Sequence, residues 1–417
     1  MEFRSRNNNK DSDTWQIDHQ CPQCGAPVQL AEADRLLLCP FCRTKLCLTP
    51  GDCFRYCIPA PATAAQEIAY LPYWRLKGLS FALADQKIVH RFFDTNRLAL
   101  DVKGLPLSLG LRPQACKLRF VSPEREGRFL DPVLSARAAL QLLGATAPSG
   151  LPQVFIGEMI SLIYAPVYLA GEVLYDGLLQ SPLGALQQED RERFLAPARP
   201  LDLQLRFIAT LCPQCGGDLQ GEREALVLIC RNCSSAWTCG PTTLERVPIS
   251  IMAAGRERAH CYLPFWRMRA RLEGLDLNTC ADLIRVANLP QAITGELEAR
   301  PFYFWSPAFK INPALFLRWT RQMTVAQPAG EVVDTFPEAG LHPVTLPVSE
   351  AQEGIILTLA SLLADKRRWP AILPHVRITL EEVILAYHPF SLSGGELVHA
   401  QMGVTINKNA LAFGKQL

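Results

Sequence analysis

Eight of the fifteen cysteines in this chain fall into one pattern written twice, C-x2-C-x14-C-x2-C, at Cys21, Cys24, Cys39 and Cys42 and again at Cys212, Cys215, Cys230 and Cys233. Two residues between cysteines let both sulfurs of a tight turn converge on one ion, so each set of four offers tetrahedral sulfur coordination. Gly25 and Gly216 follow the second cysteine of each set and suit the sharp turn needed there. The eight thiols are therefore read as ligands for two metal ions per chain. A sulfur-only site keeps no open position for water or substrate, which makes both sites structural. Such binding contributes about 10–16 kcal/mol of apparent free energy, more than a unit of about 40 residues gains from its own core.

The repetition extends beyond the cysteines. All four ligands recur at one common interval, and the segment Tyr70-Leu71-Pro72-Tyr73-Trp74-Arg75 returns one position later than that interval as Tyr262-Leu263-Pro264-Phe265-Trp266-Arg267. Glu158, Tyr164, Pro166 and Leu169 correspond in turn to Glu381, Tyr387, Pro389 and Leu392, at an interval widened by an insertion in the second copy. Order is preserved throughout. The chain reads as a tandem duplication with a pseudo-two-fold relation between its halves.

The paired knuckles resemble the zinc ribbon family, also called the rubredoxin-like fold. The resemblance covers only the two cysteine-rich stretches. It implies zinc held structurally by Cys21, Cys24, Cys39 and Cys42 and by Cys212, Cys215, Cys230 and Cys233, or, as in rubredoxins proper, iron used for electron transfer. Rubredoxins follow the last ligand with glycine, where this chain has Arg43 and Ser234. Zinc is the expected ion at both sites, with iron left open because sulfur-only tetrahedral sites suit either metal.

The expected fold class is α+β: a four-cysteine ribbon followed by a mainly antiparallel β module with one or two helices, twice over. The expected divisions are a loose tail at 1–19, ribbon 20–58, module 66–179, an exposed connector at 180–210, ribbon 211–246 and module 258–417. In residues 70–77, alternation sets Tyr70, Pro72, Trp74 and Leu76 on one strand face and Leu71, Tyr73, Arg75 and Lys77 on the other. The second copy sets Tyr262, Pro264, Trp266 and Met268 toward the core and Arg267, Arg269 and Arg271 outward. The prolines suggest an edge strand or a strand start. Asp131 with Pro132 predicts one helix start, and Ser349 with Gln352 predicts a capping box ahead of the apolar run 355–363. Residues 162–169 and 384–392 read as first arms of hairpins turning at Ala170-Gly171 and Ser393-Gly394-Gly395.

Lys plus Arg number 42 against 40 for Asp plus Glu, so no general charge draws the chain to nucleic acid or to an anionic membrane. The N-terminus has no apolar signal region, and the most apolar window, 160–179, is broken by Pro166, Glu172 and Asp176. A cytoplasmic protein without a transmembrane segment is expected, with thiols kept reduced. Cys47, Cys53, Cys57 and Cys239 flank the ribbons and are compatible with a redox pair or extra cluster, or with buried thiols; Cys116, Cys261 and Cys280 read as buried thiols. The aromatic stretch 301–319 suits a core more than a stacking surface. The motifs of P-loop, dinucleotide-binding, nucleophile-elbow and zincin enzymes are missing, and Glu158 and Glu381 are single carboxylates better suited to ion pairs or caps than to a catalytic dyad. The expectation is a non-enzymatic, zinc-bound scaffold or assembly factor with protein partners. The alternatives are nucleic-acid binding through Arg256, Arg258, Arg267, Arg269 and Arg271, or iron-based redox chemistry.

Overall fold

In each copy the repeated aromatic segment begins a long central strand, Ala69–Ala84 and Cys261–Glu273, in the computed structural model. The structure describes residues 16–413 apart from 32, 50–52, 61–66, 111–117, 122–126, 145–150, 196–205, 256–258 and 400. Cys116, Arg256, Arg258 and most of the expected tail lie outside the described residues.

Each central strand pairs antiparallel with a second long strand, Gln153–Ala170 and Arg377–Ser393, in one register. Pro72 faces Tyr164 and Trp74 faces Leu162, as Pro264 faces Tyr387 and Trp266 faces Leu385. The ladder bulges at the same place in both copies, at the repeated glutamates Glu158 and Glu381. A short strand leaving each ribbon, Phe54–Cys57 or Ile249–Met252, runs parallel to the second long strand on its other edge. Both expected hairpins form. Ala170 pairs with Val173 across Gly171 and Glu172, and Ser393 pairs with Glu396 across Gly394 and Gly395, both glycines at positive φ. Each sheet has eight strands among the described residues, so the α+β duplication extends strand by strand.

The central position corrects the edge-strand expectation. Pro72 and Pro264 are tolerated because each falls near its strand's start, where its carbonyl still accepts from Ala99 or Ala308. In the second copy Tyr262, Pro264, Trp266 and Met268 are buried and Arg269 and Arg271 exposed, as expected, whereas in the first copy both faces of the strand are covered. Leu71 and Tyr73 pack under the helix Gln188–Leu195 through Phe194, while Tyr70, Trp74 and Leu76 pack with Ala139 and Leu140 of the helix Ala136–Gly144. Arg75 is consequently buried and held by Asp94 on both nitrogens, at 3.2 and 3.1 Å.

Neither expected helix cap is used. The first helix begins at Ala136, with the Ser135 hydroxyl accepting from Ala138 N–H, because Asp131–Ser135 is taken up in bringing the Val133 and Leu134 amides to the Ala99 carbonyl. The helix Val348–Glu353 has Pro347 at its cap without a side-chain bond, and Gln352 turns away to the Ile378 carbonyl. A second helix, Ile355–Leu362, starts from Gly354 and buries nearly its whole surface. Both copies tie the strand to the residues before the helix in one way: Trp74 Nε1 donates to Leu134 O at 2.7 Å and Trp266 Nε1 to Leu346 O at 2.9 Å.

The insertion separates the copies. In the first, the central strand turns at Asp85-Gln86 into Lys87–Leu98, making a long hairpin arm; in the second, the helices Cys280–Ala287 and Gly295–Ala299 fill that stretch and the partner strand shrinks to Phe304–Pro307. The arm does not stand free. Leu79, Phe81, Leu83, Val154 and Ile156 join one continuous core with Phe265, Phe316, Trp319 and Ile355 of the second copy. Among the described residues no helix is long and apolar enough to cross a membrane.

Candidate metal centres

Each ribbon brings its cysteines together from two tight turns. In the first, Gln16–Gln20 pairs with Pro27–Ala31 around Cys21 and Cys24, and Leu36–Leu38 pairs with Lys45–Leu48 around Cys39 and Cys42. In the second, the leading hairpin is reduced to a bridge between Leu211 and Asp218, while Val227–Cys230 pairs with Ser235–Cys239. Gly25 N–H reaches the Cys21 carbonyl and Gly216 N–H the Cys212 carbonyl, both at 2.8 Å and with positive φ as expected. Arg43 and Ser234, the residues after the last ligands, also take positive φ, 61° and 50°. They therefore adopt the turn that glycine makes more easily, at a cost of about 1–2 kcal/mol each. The departure from the rubredoxin sequence leaves the turn in place.

The sulfurs converge. Cys21 and Cys42 lie 3.8 Å apart and Cys24 and Cys39 3.7 Å, while Cys212 and Cys233 lie 3.6 Å apart and Cys215 and Cys230 3.5 Å. All four sulfurs in each set fall within 4.8 Å of one another. A tetrahedral ion with metal–sulfur bonds of about 2.3 Å spaces its ligands by about 3.8 Å, so both sets fit a single ion. In geometry and in donor chemistry each four-cysteine cluster can hold a metal ion.

A second layer of partners escaped the sequence reading. Thr44 Oγ1 lies 3.2 Å from Cys42 Sγ, and Ser235 Oγ lies 3.1 Å from Cys233 Sγ and 3.6 Å from Cys212 Sγ. The signal was present in the repeat: each hydroxyl stands two residues past the last ligand. In the second ribbon Trp237 Nε1 donates to Ser235 Oγ at 2.8 Å, turning the hydroxyl proton toward sulfur, and Asn232 Nδ2 donates to Cys215 Sγ at 3.4 Å. These contacts favour thiolate. The Thr44 hydroxyl lowers Cys42 to about 6, and the Asn232 amide lowers Cys215. Burial, with the thiols of Cys215 and Cys233, pushes Cys230 up to about 12. Sulfurs this close do not all ionise alone, and a divalent cation supplies the missing charge.

The ribbons are joined to each other. Phe207–Ala209, leading into the second ribbon, pairs with Lys45–Leu48 of the first, and Arg223 reaches Asp34 at 2.7 Å. Leu36 and Cys47 of the first ribbon share a core with Leu219, Leu228, Trp237 and Cys239 of the second. The stretch 180–210 thus contains paired strands, at Pro182–Ala185 and Phe207–Ala209, as well as the helix Gln188–Leu195.

Arg267, Arg269 and Arg271 are engaged by carboxylates. Arg267 reaches Glu382 at 3.4 Å and lies over the Tyr303 ring, and Arg269 and Arg271 both reach Glu381, at 3.6 and 3.2 Å. Phe302, Phe304, Trp305, Phe309, Phe316 and Trp319 are buried, so the aromatic stretch is core. Cys53 and Cys57 pack in the first module's core. Glu158, unlike its counterpart Glu381, faces a cleft of ≈ 810 Å³ where the equivalent helices Ala136–Gly144 and Val348–Glu353 meet. Across it the Glu350 carboxylate accepts the amides of Gly157 and Glu158, and Arg137 pairs with Glu353 at 2.6 Å. Burial and the nearby carboxylates push Glu158 up to about 7 and Glu350 to about 8.

No protein-family model, curated protein or solved structure matches this chain. The fold is a duplicated α+β arrangement carrying two four-cysteine clusters, each with the geometry to hold a metal ion.

Proposed function

We propose that this chain is a zinc-bound, non-catalytic scaffold that takes a partner protein by strand addition. The observation that carries the reading is the strand Lys87–Leu98. One edge is zipped to Ala69–Ala84, and among the described residues no strand pairs with the other. Val89 and Phe92 on it are 47% and 58% exposed. A long edge with apolar side chains is a template for an incoming extended segment. The second copy closes its own version: along 303–307 the Thr324 hydroxyl accepts from Trp305 N–H at 3.0 Å, and Gln327 accepts from Tyr303 N–H at 3.1 Å.

Zinc is supported by the closed four-sulfur geometry and by the residues after the last ligands, which differ from those of rubredoxins. Both metals then serve structure, and the cysteine usage fits the reducing cytosol. Metal analysis of the purified chain checks this part: two equivalents of zinc in a colourless protein are expected, and visible iron–sulfur absorption overturns it. The partner is tested by capture on the tagged full chain, with nuclease present, beside a variant carrying Val89→Lys and Phe92→Lys. A stoichiometric protein lost in the variant at unchanged metal content is expected. Capture that persists in the variant, or that depends on intact nucleic acid, overturns the proposal; the latter would favour the arginine face, which Glu381 and Glu382 now oppose.

A further inference from the structure

Of the cysteines outside the metal clusters, Cys47 and Cys239 are the two that meet across the ribbon seam. Cys47 comes from Lys45–Leu48 of the first ribbon and Cys239 from Ser235–Cys239 of the second. They share the seam core with Leu36, Leu228 and Trp237. The two are not copies of each other: the position matching Cys47 is Thr238, and the position matching Cys239 is Leu48. That asymmetry is what a single pair between two copies requires. Each ribbon contributes one thiol, from neighbouring positions on equivalent strands.

Access and polarity agree with a reactive pair. Both side chains line one cavity of ≈ 470 Å³, together with Arg35, Arg246 and Trp266. Cys47 is buried, at 3% exposure, and Cys239 is half-buried on the cavity wall. Interaction with Cys47 lowers Cys239, and interaction with Cys239 together with burial raises Cys47, so the accessible sulfur is the easier of the two to ionise.

We propose that Cys47 and Cys239 are a hydroperoxide-oxidised dithiol whose disulfide fastens the first ribbon to the second. The Cys239 thiolate attacks one peroxide oxygen; the O–O bond breaks, alcohol or water leaves with a proton, and the sulfur becomes a sulfenic acid. The Cys47 sulfur then attacks that sulfur, the S–S bond forms, and hydroxide departs with the Cys47 proton as water. Two electrons pass from the two thiols to one hydroperoxide. The eight clustered cysteines are withheld from this chemistry while metal holds them.

The test titrates the purified, metal-loaded full chain with hydrogen peroxide, blocks remaining thiols with N-ethylmaleimide and maps peptides without reduction. A Cys47–Cys239 cross-link accumulating before any clustered cysteine is lost, reversed by dithiothreitol and with metal content unchanged, is expected. Cys47→Ser should abolish the cross-link and leave Cys239 as a sulfenic acid that dimedone traps. Alkylation of both Cys47 and Cys239 after the clusters have oxidised and released metal overturns the proposal, as does a cross-link from either thiol to another cysteine. The wild-type map decides the matter even where the serine variant folds poorly.

Discussion

Thr44 and Ser235 illustrate how a side chain that binds no metal can set how well one is held. Each places a hydroxyl beside the last sulfur of its cluster, at 3.2 and 3.1 Å. Outer partners of this kind are worth about 10–100-fold in metal affinity. Ser235→Ala is expected to weaken the second site by about that factor, and more than Thr44→Val weakens the first, because Trp237 fixes the Ser235 hydroxyl; competition against a chelator of known affinity measures both. The ligands themselves were legible because two-residue spacing is nearly a statement of geometry. The hydroxyls were not, since a lone Thr or Ser after a cysteine has many uses until the turn aims it. Arg43 and Ser234 were opaque for a related reason: their positive φ belongs to the turn and runs against residue preference.

Among the elements, the two repeated tryptophans give the clearest case of sequence and structure agreeing, and of where they part. The repeat matched Trp74 with Trp266 and set Trp266 toward the core, and both indoles clamp the backbone ahead of a helix. Where the helices begin was misread. Asp131-Pro132 and Ser349 look like caps locally, but the strands claim the amides and carbonyls around them first. The face assignment holds in the second copy, where Trp266 and Met268 are buried and Arg269 and Arg271 exposed, but in the first copy Leu71, Tyr73 and Arg75 are covered as well, and a period of two cannot report two buried faces. Trp266→Phe strands the buried Leu346 carbonyl and is expected to cost about 1–3 kcal/mol, read from urea unfolding. Trp74→Phe should cost less, since Leu134 is only half-buried. The ribbons form a unit of their own through Phe207–Ala209 and the shared seam. Removing metal with a chelator should therefore abolish amide-exchange protection in both ribbons together while the long ladders at Trp74 and Trp266 stay protected. Loss confined to one ribbon would show that the seam does not couple them.

Over the whole molecule, the two copies meet at a carboxyl cluster whose burial predicts a pH-dependent stability. Glu158 and Glu350 stand at about 7 and about 8 in the fold, against an ordinary 4.5. A carboxyl raised by folding favours the fold in its protonated form, so its contribution is full below the unfolded value and is lost as pH rises through the folded value. Arg137 and Lys310 oppose the loss and Glu353 adds to it. Unfolding midpoints should accordingly fall as pH rises from about 4.5 to about 8 and level off above that, and Glu350→Gln should flatten the fall while still accepting the Gly157 amide. Glu381→Gln, at the matching bulge but paired with Arg269 and Arg271, should not flatten it.

The arm that carries Leu79, Phe81 and Leu83 into the second copy's core has a bearing on the order of events during synthesis. The first copy leaves the ribosome with that apolar tip finished and its cover, Phe316, Trp319 and Ile355, still untranslated. Folding of the first half therefore waits on the second, however similar the two are in design. The metal sites offer an early foothold in the interval, since the first cluster is complete at Cys42, before any of the arm has been made. Duplication here leaves the earlier copy with an apolar tip that the later copy must arrive to bury.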